Sequence, residues 1–250
     1  MAARTDHDER AEADADAETA APKRRGARRI AMAVSILGEL LITAGLVLGL
    51  FVVYSLWWTN VVADRKADKQ GDKVRDNWAQ DKSGPGALDT KDGIGFLHVP
   101  SMKNGEVLVE KGTSTKVLND GVAGYYIDPV KATLPMTDKT GNFTLAAHRD
   151  GHGAKFHNID KIKKGDPIVF ETKDDWYVYK VFSILPETSK YNVKVLQSLP
   201  KQSGKTKPGH YITLTTCTPV YTSEYRYIVW GELERVQKVD SARTPPKELG

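Results

Sequence analysis

Residues 30–58 form an apolar run, and this run constrains the chain more than any other feature. Glu39 is its only charged side chain, and Trp57 and Trp58 stand at its far end. About 20 apolar residues cross the hydrocarbon core of a bilayer, so the run is long enough to span one with tilt to spare. Tryptophan favours the interface between membrane and water. We therefore predict a transmembrane anchor over residues 30–58.

The charges before this run predict its orientation. Residues 1–29 hold seven basic side chains, and five of these lie between Lys23 and Arg29. The segment has no aromatic residue and many acidic ones, so we predict a disordered tail. Basic residues beside an anchor stay in the cytoplasm, which places the rest of the chain outside the cell. A cleaved signal peptide fits less well, because the apolar run is too long and no small-x-small cleavage site follows it.

Residues 59–92 are predicted to form an extracellular stalk. Residues 61–82 are rich in charge and lack proline, which predicts a solvated or partly amphipathic helix. The sequence Ser-Gly-Pro-Gly at residues 83–86 should end that helix. The net charge of the chain is only +4, so composition does not indicate a nucleic-acid partner.

Residues 93–236 are predicted to form one globular domain, followed by a C-terminal tail at residues 237–250 whose end is frayed. Short runs of β-branched and aromatic residues alternate with turn signals, which favours an all-β sandwich or barrel. Short helices are predicted at residues 115–119 and 155–159. Strands are predicted at residues 95–99, 107–110, 143–147, 167–171, 176–185, 211–216 and 225–234.

Two of the predicted strands end in side chains that suit thiol chemistry. One ends at His148 and the other at Cys217, which is the only cysteine and so excludes an internal disulfide. Pro219 should end the second strand. Arg226 opens the next strand, which should return antiparallel and bring it near Cys217. Each residue alone is commonplace, but together they provide a nucleophile, an imidazole and a cation for an oxyanion.

The motif around Cys217 resembles a known signature. Thr-Leu-Thr-Thr-Cys-Thr-Pro at residues 213–219 is similar to the Thr-Leu-x-Thr-Cys motif of sortases, the membrane-anchored cysteine transpeptidases of Gram-positive bacteria. Ala-Ala-His-Arg at residues 146–149 resembles the stretch around the family's catalytic histidine, although Ala147 stands where glycine is common. Arg226 stands where the catalytic arginine stands. Class E, the housekeeping type of actinobacteria, is the most similar class.

The resemblance implies a fold, a reaction and partners. The fold would be a sortase-like closed β-barrel of about eight strands with one or two short helices. Cys217 would cleave a Leu-Ala-x-Thr-Gly-type sorting signal of a secreted protein between threonine and glycine through a thioester. His148 would serve as general acid and base, and Arg226 would bind the oxyanion or the substrate. The acceptor would be an amine of a lipid-linked peptidoglycan precursor, with no cofactor and no metal.

Alternation along the strand assigns two neighbours of Cys217 to different faces. Thr215 shares the face of Cys217 and is expected to line the peptide groove, whereas Thr216 is expected to pack on the other side. Three alternatives stay open. They are a zinc site at His148, His152 and His157, a non-enzymatic membrane-anchored adaptor that binds the cell envelope, and a pilin-polymerising sortase of another class.

Overall fold

The computed structural model describes residues 24–80 and 93–250, and the chain divides into two units, residues 1–52 and residues 53–250. In the first unit, the helix α1 (Arg24–Val53) carries apolar side chains on all of its faces. Leu40 and Leu48, for example, are more than 60% exposed, as expected for a helix that contacts lipid. Within the described residues, the helical stretch Gly26–Ala79 is the one candidate for a membrane span, judged by length and composition.

The helix α1 begins earlier than the sequence analysis predicts. The composition of residues 24–29 predicts part of a disordered tail, but these residues are helical. No proline interrupts them, and extending an existing helix costs far less than starting one. Residues 1–23 of the predicted tail lie outside the described residues.

The second unit opens with a short π-helix at Tyr54–Trp58 and continues as α2 (Thr59–Ala79). The side chains that α2 buries recur every three or four residues, so they form one helix face. They are Ala63, Ala67, Gly71, Val74 and Trp78. Part of this face packs against Phe96, Leu108 and Val122 of the globular domain.

The packing of α2 corrects the prediction of a stalk at residues 59–92 for its described part, residues 59–80. A partly amphipathic helix was expected there, and the helix is present. It is not free in solvent, because Trp78 is only 8% exposed and meets the Phe96 ring edge-on at 5.5 Å. The predicted break at residues 83–86 lies outside the described residues.

Eight strands close into a barrel in the order β1-β2-β3-β4-β7-β8-β6-β5, which confirms the predicted fold. The pairs β2–β3 and β4–β7 are parallel, and the other neighbours are antiparallel. The strands are β1 (Gly95–His98), β2 (Glu106–Lys111), β3 (Ala123–Tyr125), β4 (Gly141–Ala146), β5 (Pro167–Glu171), β6 (Asp175–Ser189), β7 (His210–Thr218) and β8 (Tyr225–Lys238). Sequence patterns predicted all of them except β3, which is too short to show alternation.

The interior of the barrel is filled by aliphatic and aromatic side chains. Phe143 on β4 and Phe170 on β5 approach each other there, with ring centroids 4.8 Å apart. Ile212 and Leu214 of β7 belong to the same core. Since side chains alternate along a strand, Thr215 and Cys217 lie on the outer face of the barrel.

Only one of the two predicted short helices forms. It is α3 (Thr115–Leu118). Residues 155–158 form turns instead, and a 3-10 helix follows at Ile159–Lys161. The His157 N–H donates to the Ala154 carbonyl three residues back, while the Phe156 side chain is fully buried. Burial of this side chain favours tight turns over a regular helix.

The C-terminal residues are also ordered, which corrects the predicted frayed tail at residues 237–250. Arg243 donates to the buried Glu171 carboxylate at 2.6 Å. Glu248 accepts two hydrogen bonds from Arg235, one of them 2.8 Å long. Leu249 packs against an apolar cluster on β5 and β6. Arg243 and Glu171 are distant in the sequence, and Glu248 is separated from Arg235 by a turn. The local composition of the C-terminal residues therefore does not predict these contacts.

Candidate active site

Cys217 lies one residue before the end of β7 and is partly exposed. Pro219 follows the strand, as predicted, because it has no N–H for a further ladder bond. The loop after Pro219 returns the chain as β8, whose antiparallel register pairs Cys217 directly with Arg226. Directly paired residues on adjacent strands share a face of the sheet. Cys217 and Arg226 therefore lie side by side on the outer face of the barrel.

His148 follows the end of β4, on the other side of β7. β4 and β7 are parallel and in a constant register, which pairs Ala146 with Thr215. The Thr216 hydroxyl extends this contact by donating to the Ala147 carbonyl at 2.7 Å. We infer that this register, continued two residues past the end of β4, brings His148 opposite Cys217. Since adjacent strands lie about 4.8 Å apart, the two residues are neighbours.

The imidazole of His148 is held by a residue that the sequence analysis did not identify. Nε2 of His148 lies 2.8 Å from Oδ1 of Asn119, at the end of α3. The ring of His152 lies close to it, with centroids 5.7 Å apart. Burial lowers the pKa of His148, the positive form of His152 lowers it further, and Asp150 opposes both. A carbonyl oxygen only accepts, so Nε2 carries the proton and Nδ1 is the nitrogen that remains for proton exchange in the neutral ring.

Arg149 is a second residue whose role the sequence analysis missed. Its guanidinium is buried and donates to the Thr218 hydroxyl at 2.9 Å, with a longer contact of 3.4 Å to the Cys217 carbonyl. Asp160 accepts a third bond at 3.1 Å. Arg149 therefore ties the segment after His148 to the backbone that carries Cys217. In the sequence, only the position of Arg149 next to His148 pointed to a role at the site. That position does not show in which direction the Arg149 side chain points.

A cavity of about 100 Å³ opens beside Arg226 on the outer face of the barrel. Thr215 lines this cavity, and its hydroxyl lies 3.0 Å from the Tyr126 hydroxyl. Burial raises the pKa of Tyr126, so the phenol remains protonated and able to form this bond. The other lining residues are Pro129, Thr188, Ser189, Lys190, Asn192, Val193, Val195, Leu196 and Ile228. The lining is mixed, with aliphatic side chains such as Val195 and Ile228 beside hydroxyl, amide and charged groups, so the cavity offers a peptide both apolar contacts and hydrogen-bond partners.

The alternative zinc site at His148, His152 and His157 is not assembled. Among the described residues, these three do not bring their ligand atoms within 4.8 Å of one another. Nδ1 of His157 instead contacts the Arg149 carbonyl at 2.8 Å.

A different cluster, formed by His98, Glu106 and Glu171, does gather its ligand atoms. Its carboxylates bind the guanidinium groups of Arg75 and Arg243. These two cations supply the positive charge that a metal ion would provide.

Residues 97–234, which make up more than half of the chain, match the family model of the sortase domain. This chain belongs to the sortase family. Over 233 residues it is 76% identical to Sortase SrtE2 of Streptomyces coelicolor, and the alignment covers 91% of this chain and 92% of that protein. Sortase SrtE1 of the same organism is 48% identical over 198 residues, which are 79% of this chain and 56% of that protein.

The solved structures agree with these relatives. A crystal structure of Sortase E1 from Streptomyces coelicolor with a tripeptide in the active site has a TM-score of 0.60 and 46% identity to this sortase. The match covers 64% of this chain and 98% of that chain. Sortases are cysteine transpeptidases that act on surface proteins bearing sorting signals, and these relatives place the present chain in class E.

Proposed function

We propose that this sortase cleaves a Leu-Ala-x-Thr-Gly-type sorting signal between threonine and glycine and joins the new carboxyl group to an amine of a lipid-linked peptidoglycan precursor. The observation that carries the proposal is the direct pairing of Cys217 with Arg226 on β7 and β8, with His148 just beyond the end of β4, the strand on the other side of β7. A nucleophile between an imidazole and a guanidinium is the arrangement that acyl transfer through a thioester requires.

The first half of the proposed reaction forms a thioester. The thiolate of Cys217 attacks the threonine carbonyl, and Arg226 stabilises the oxyanion that develops. The carbon–nitrogen bond breaks as the imidazolium of His148 gives its proton to the glycine nitrogen. In the second half, neutral His148 takes a proton from the acceptor amine, whose nitrogen attacks the thioester. Cys217 leaves as a thiolate, and a new amide is formed.

The side chain of Arg226 is directed by local contacts. One of its terminal nitrogens donates to the Tyr225 carbonyl at 2.9 Å and to the Ser223 carbonyl at 3.1 Å. Arg226 also lines the cavity that contains Thr215. We therefore infer that it lies where the signal's threonine carbonyl would meet Cys217.

The preference for alanine over proline would come from Tyr126. Alanine has a backbone N–H that proline lacks. A Tyr126 hydroxyl that donates to Thr215 keeps an oxygen lone pair free to accept this N–H. Tyr125, its neighbour, belongs to the buried core and is not available to the groove.

The anchor would keep the catalytic unit at the outer surface of the membrane. The helix α1 is apolar enough to span a bilayer, and a basic cluster ends at Arg29. The positive-inside rule then assigns the N-terminus to the cytoplasm and residues 59–250 to the outside. Lipid-linked wall precursors are displayed on that side.

The proposal is tested by incubating the detergent-solubilised full chain with sorting-signal peptides, with and without an amine, and following products by mass spectrometry. We expect cleavage after threonine and transfer to the amine. Cys217→Ala should abolish both, while His148→Ala and Arg226→Ala should each lower kcat/KM at least about 10²-fold. Activity in the Cys217 variant would refute the mechanism. Peptide binding that survives alkylation of Cys217, without turnover of the unmodified chain, would favour the adaptor.

A further inference from the structure

The N-terminal half of α2 contacts the loop that follows His148. Oδ1 of Asn60 accepts a hydrogen bond from the Gly153 N–H at 2.8 Å, and the Asn60 amide nitrogen donates to the Leu56 carbonyl within the helix. One turn later, Asp64 binds the Lys155 ammonium at 2.8 Å. The Lys155 side chain is mostly buried and that of Asp64 is about half exposed, so this ion pair is partly shielded from water.

The fit between α2 and this loop is close. A Cβ atom added to Gly153 would lie 2.9 Å from Oδ1 of Asp64, and the backbone of Gly153 has a positive φ of 80°. Both facts favour glycine at this position. The loop then returns to its start, because the Phe156 N–H donates to the His148 carbonyl at 3.0 Å. The contacts of α2 therefore act on a short loop that both begins and closes at His148.

The same half of α2 contacts a second segment that reaches His148. A Cβ atom on Gly121 would lie 2.8 Å from the Ala63 carbonyl, so the turn at residues 119–121 touches the helix backbone. Lys66 forms a 2.6 Å ion pair with Asp120 in this turn. The preceding residue, Asn119, holds Nε2 of His148. The helix thus braces both the backbone and the ring of the histidine.

We propose that α2, the helix that directly follows the membrane-spanning segment, is part of the catalytic unit, with Asn60 and Asp64 as positioning residues that orient the His148 imidazole. The inference rests on the proposed role of His148. The side chain must meet both the leaving amine and the incoming amine, and an error of about 1 Å in such a group can cost about 10²-fold in rate. The contacts of α2 with the loop after His148 and with the turn that carries Asn119 limit the motion of the imidazole that would produce this error.

The test compares two double variants of the full chain in detergent. The first, Asn60→Ala with Asp64→Ala, removes both contacts to the loop. The matched control, Asn77→Ala with Asp72→Ala, removes the same side-chain types from exposed positions further along α2. We expect kcat to fall about 10-fold in the first variant and to stay unchanged in the control. Only the first variant removes contacts that hold the His148 imidazole in position for proton transfer. The KM for the signal peptide should not change, since the groove beside Thr215 does not contact α2.

A third variant tests the ion pair by itself. Exchanging its charges, with Asp64→Lys and Lys155→Asp together, should keep kcat higher than Asp64→Lys alone. A purely structural role would lower the melting temperature in step with kcat. The proposal expects an unchanged melting temperature, because Ala67, Val74 and Trp78 still hold α2 on the barrel.

Three results would overturn the inference. They are an unchanged kcat in the first double variant, an equal loss in the control, and a fall in kcat that only follows a fall in melting temperature. In each case the unsubstituted chain is active and His148→Ala is not, so the proposed function stands. An inactive unsubstituted chain would overturn the proposed function and the inference together.

Discussion

A single hydroxyl group in the groove carries the proposed preference for alanine. Tyr126 is directed at Thr215, on the strand that bears Cys217, and both residues line the same cavity as Arg226. A hydroxyl at this place can accept the N–H that distinguishes alanine from proline. A buried acceptor left without its donor costs about 1–3 kcal/mol, which corresponds to a preference of about 5- to 160-fold.

We therefore predict that Tyr126→Phe reduces the ratio of kcat/KM for the alanine peptide over the proline peptide to near one. The fold should survive, because the phenyl ring keeps its packing. Tyr125→Phe is the matched control, and it should leave the ratio unchanged because Tyr125 points into the core. The measurement is kcat/KM on both peptides under identical conditions. An unaltered ratio in Tyr126→Phe would remove this hydroxyl from substrate selection.

Asn119 and Arg149 contact the candidate catalytic residues, and the sequence did not indicate either contact. Cys217, His148 and Arg226 were identifiable because each stands at a strand end marked by β-branched residues and turns. Asn119 and Arg149 carry no such mark. Asn119 lies 29 residues from His148, and Arg149 reaches a hydroxyl 69 residues away. Contacts between residues this far apart in the sequence form when the strands and loops pack together, and local sequence patterns do not predict them.

At the scale of elements, Glu171 joins three segments that are remote in the chain. Burial alone would raise the pKa of Glu171. Hydrogen bonds from His98 on β1, Arg75 on α2 and Arg243 near the C-terminus outweigh burial and lower the pKa to about 2. The carboxylate is only 2% exposed, so its charge is compensated by these partners and not by water.

This carboxylate predicts a specific acid dependence of stability. The pKa of Glu171 falls from 4.5 to about 2 on folding, so its contribution is complete above pH 4.5 and is lost as the pH falls towards 2. The melting temperature of the natural chain should exceed that of Glu171→Gln at neutral pH, because glutamine removes the carboxylate that pairs with Arg243 and leaves Arg75 only its pair with Glu106. The difference should shrink between pH 4.5 and pH 2. A constant difference across this range would show that the charge of Glu171 does not hold the segments together.

For the molecule as a whole, the chain should enter the membrane with its N-terminus inside. Five basic residues before the anchor favour this orientation. Protease added to wall-stripped cells should digest the catalytic unit while a cytoplasmic marker protein remains intact. Replacing the five bases between Lys23 and Arg29 by glutamine should weaken the bias and protect part of the population. A catalytic unit that is protected in intact, wall-stripped cells would contradict the assigned orientation.

Local sequence patterns predicted seven of the eight strands and the long apolar helix, and they proposed the reactive groups. An apolar run, alternating strands and punctuating turns are local signals, and they arise from burial and backbone sterics within a few residues. The Thr-Leu-x-Thr-Cys motif added the family. Which elements contact one another became clear only from the folded chain. The tertiary structure placed α2 on the barrel instead of in solvent and folded the C-terminal residues back onto β5 and β6. Arg75 and Glu171, 96 residues apart, pair because closing the barrel and docking α2 bring them together, and no local pattern specifies a contact over that distance.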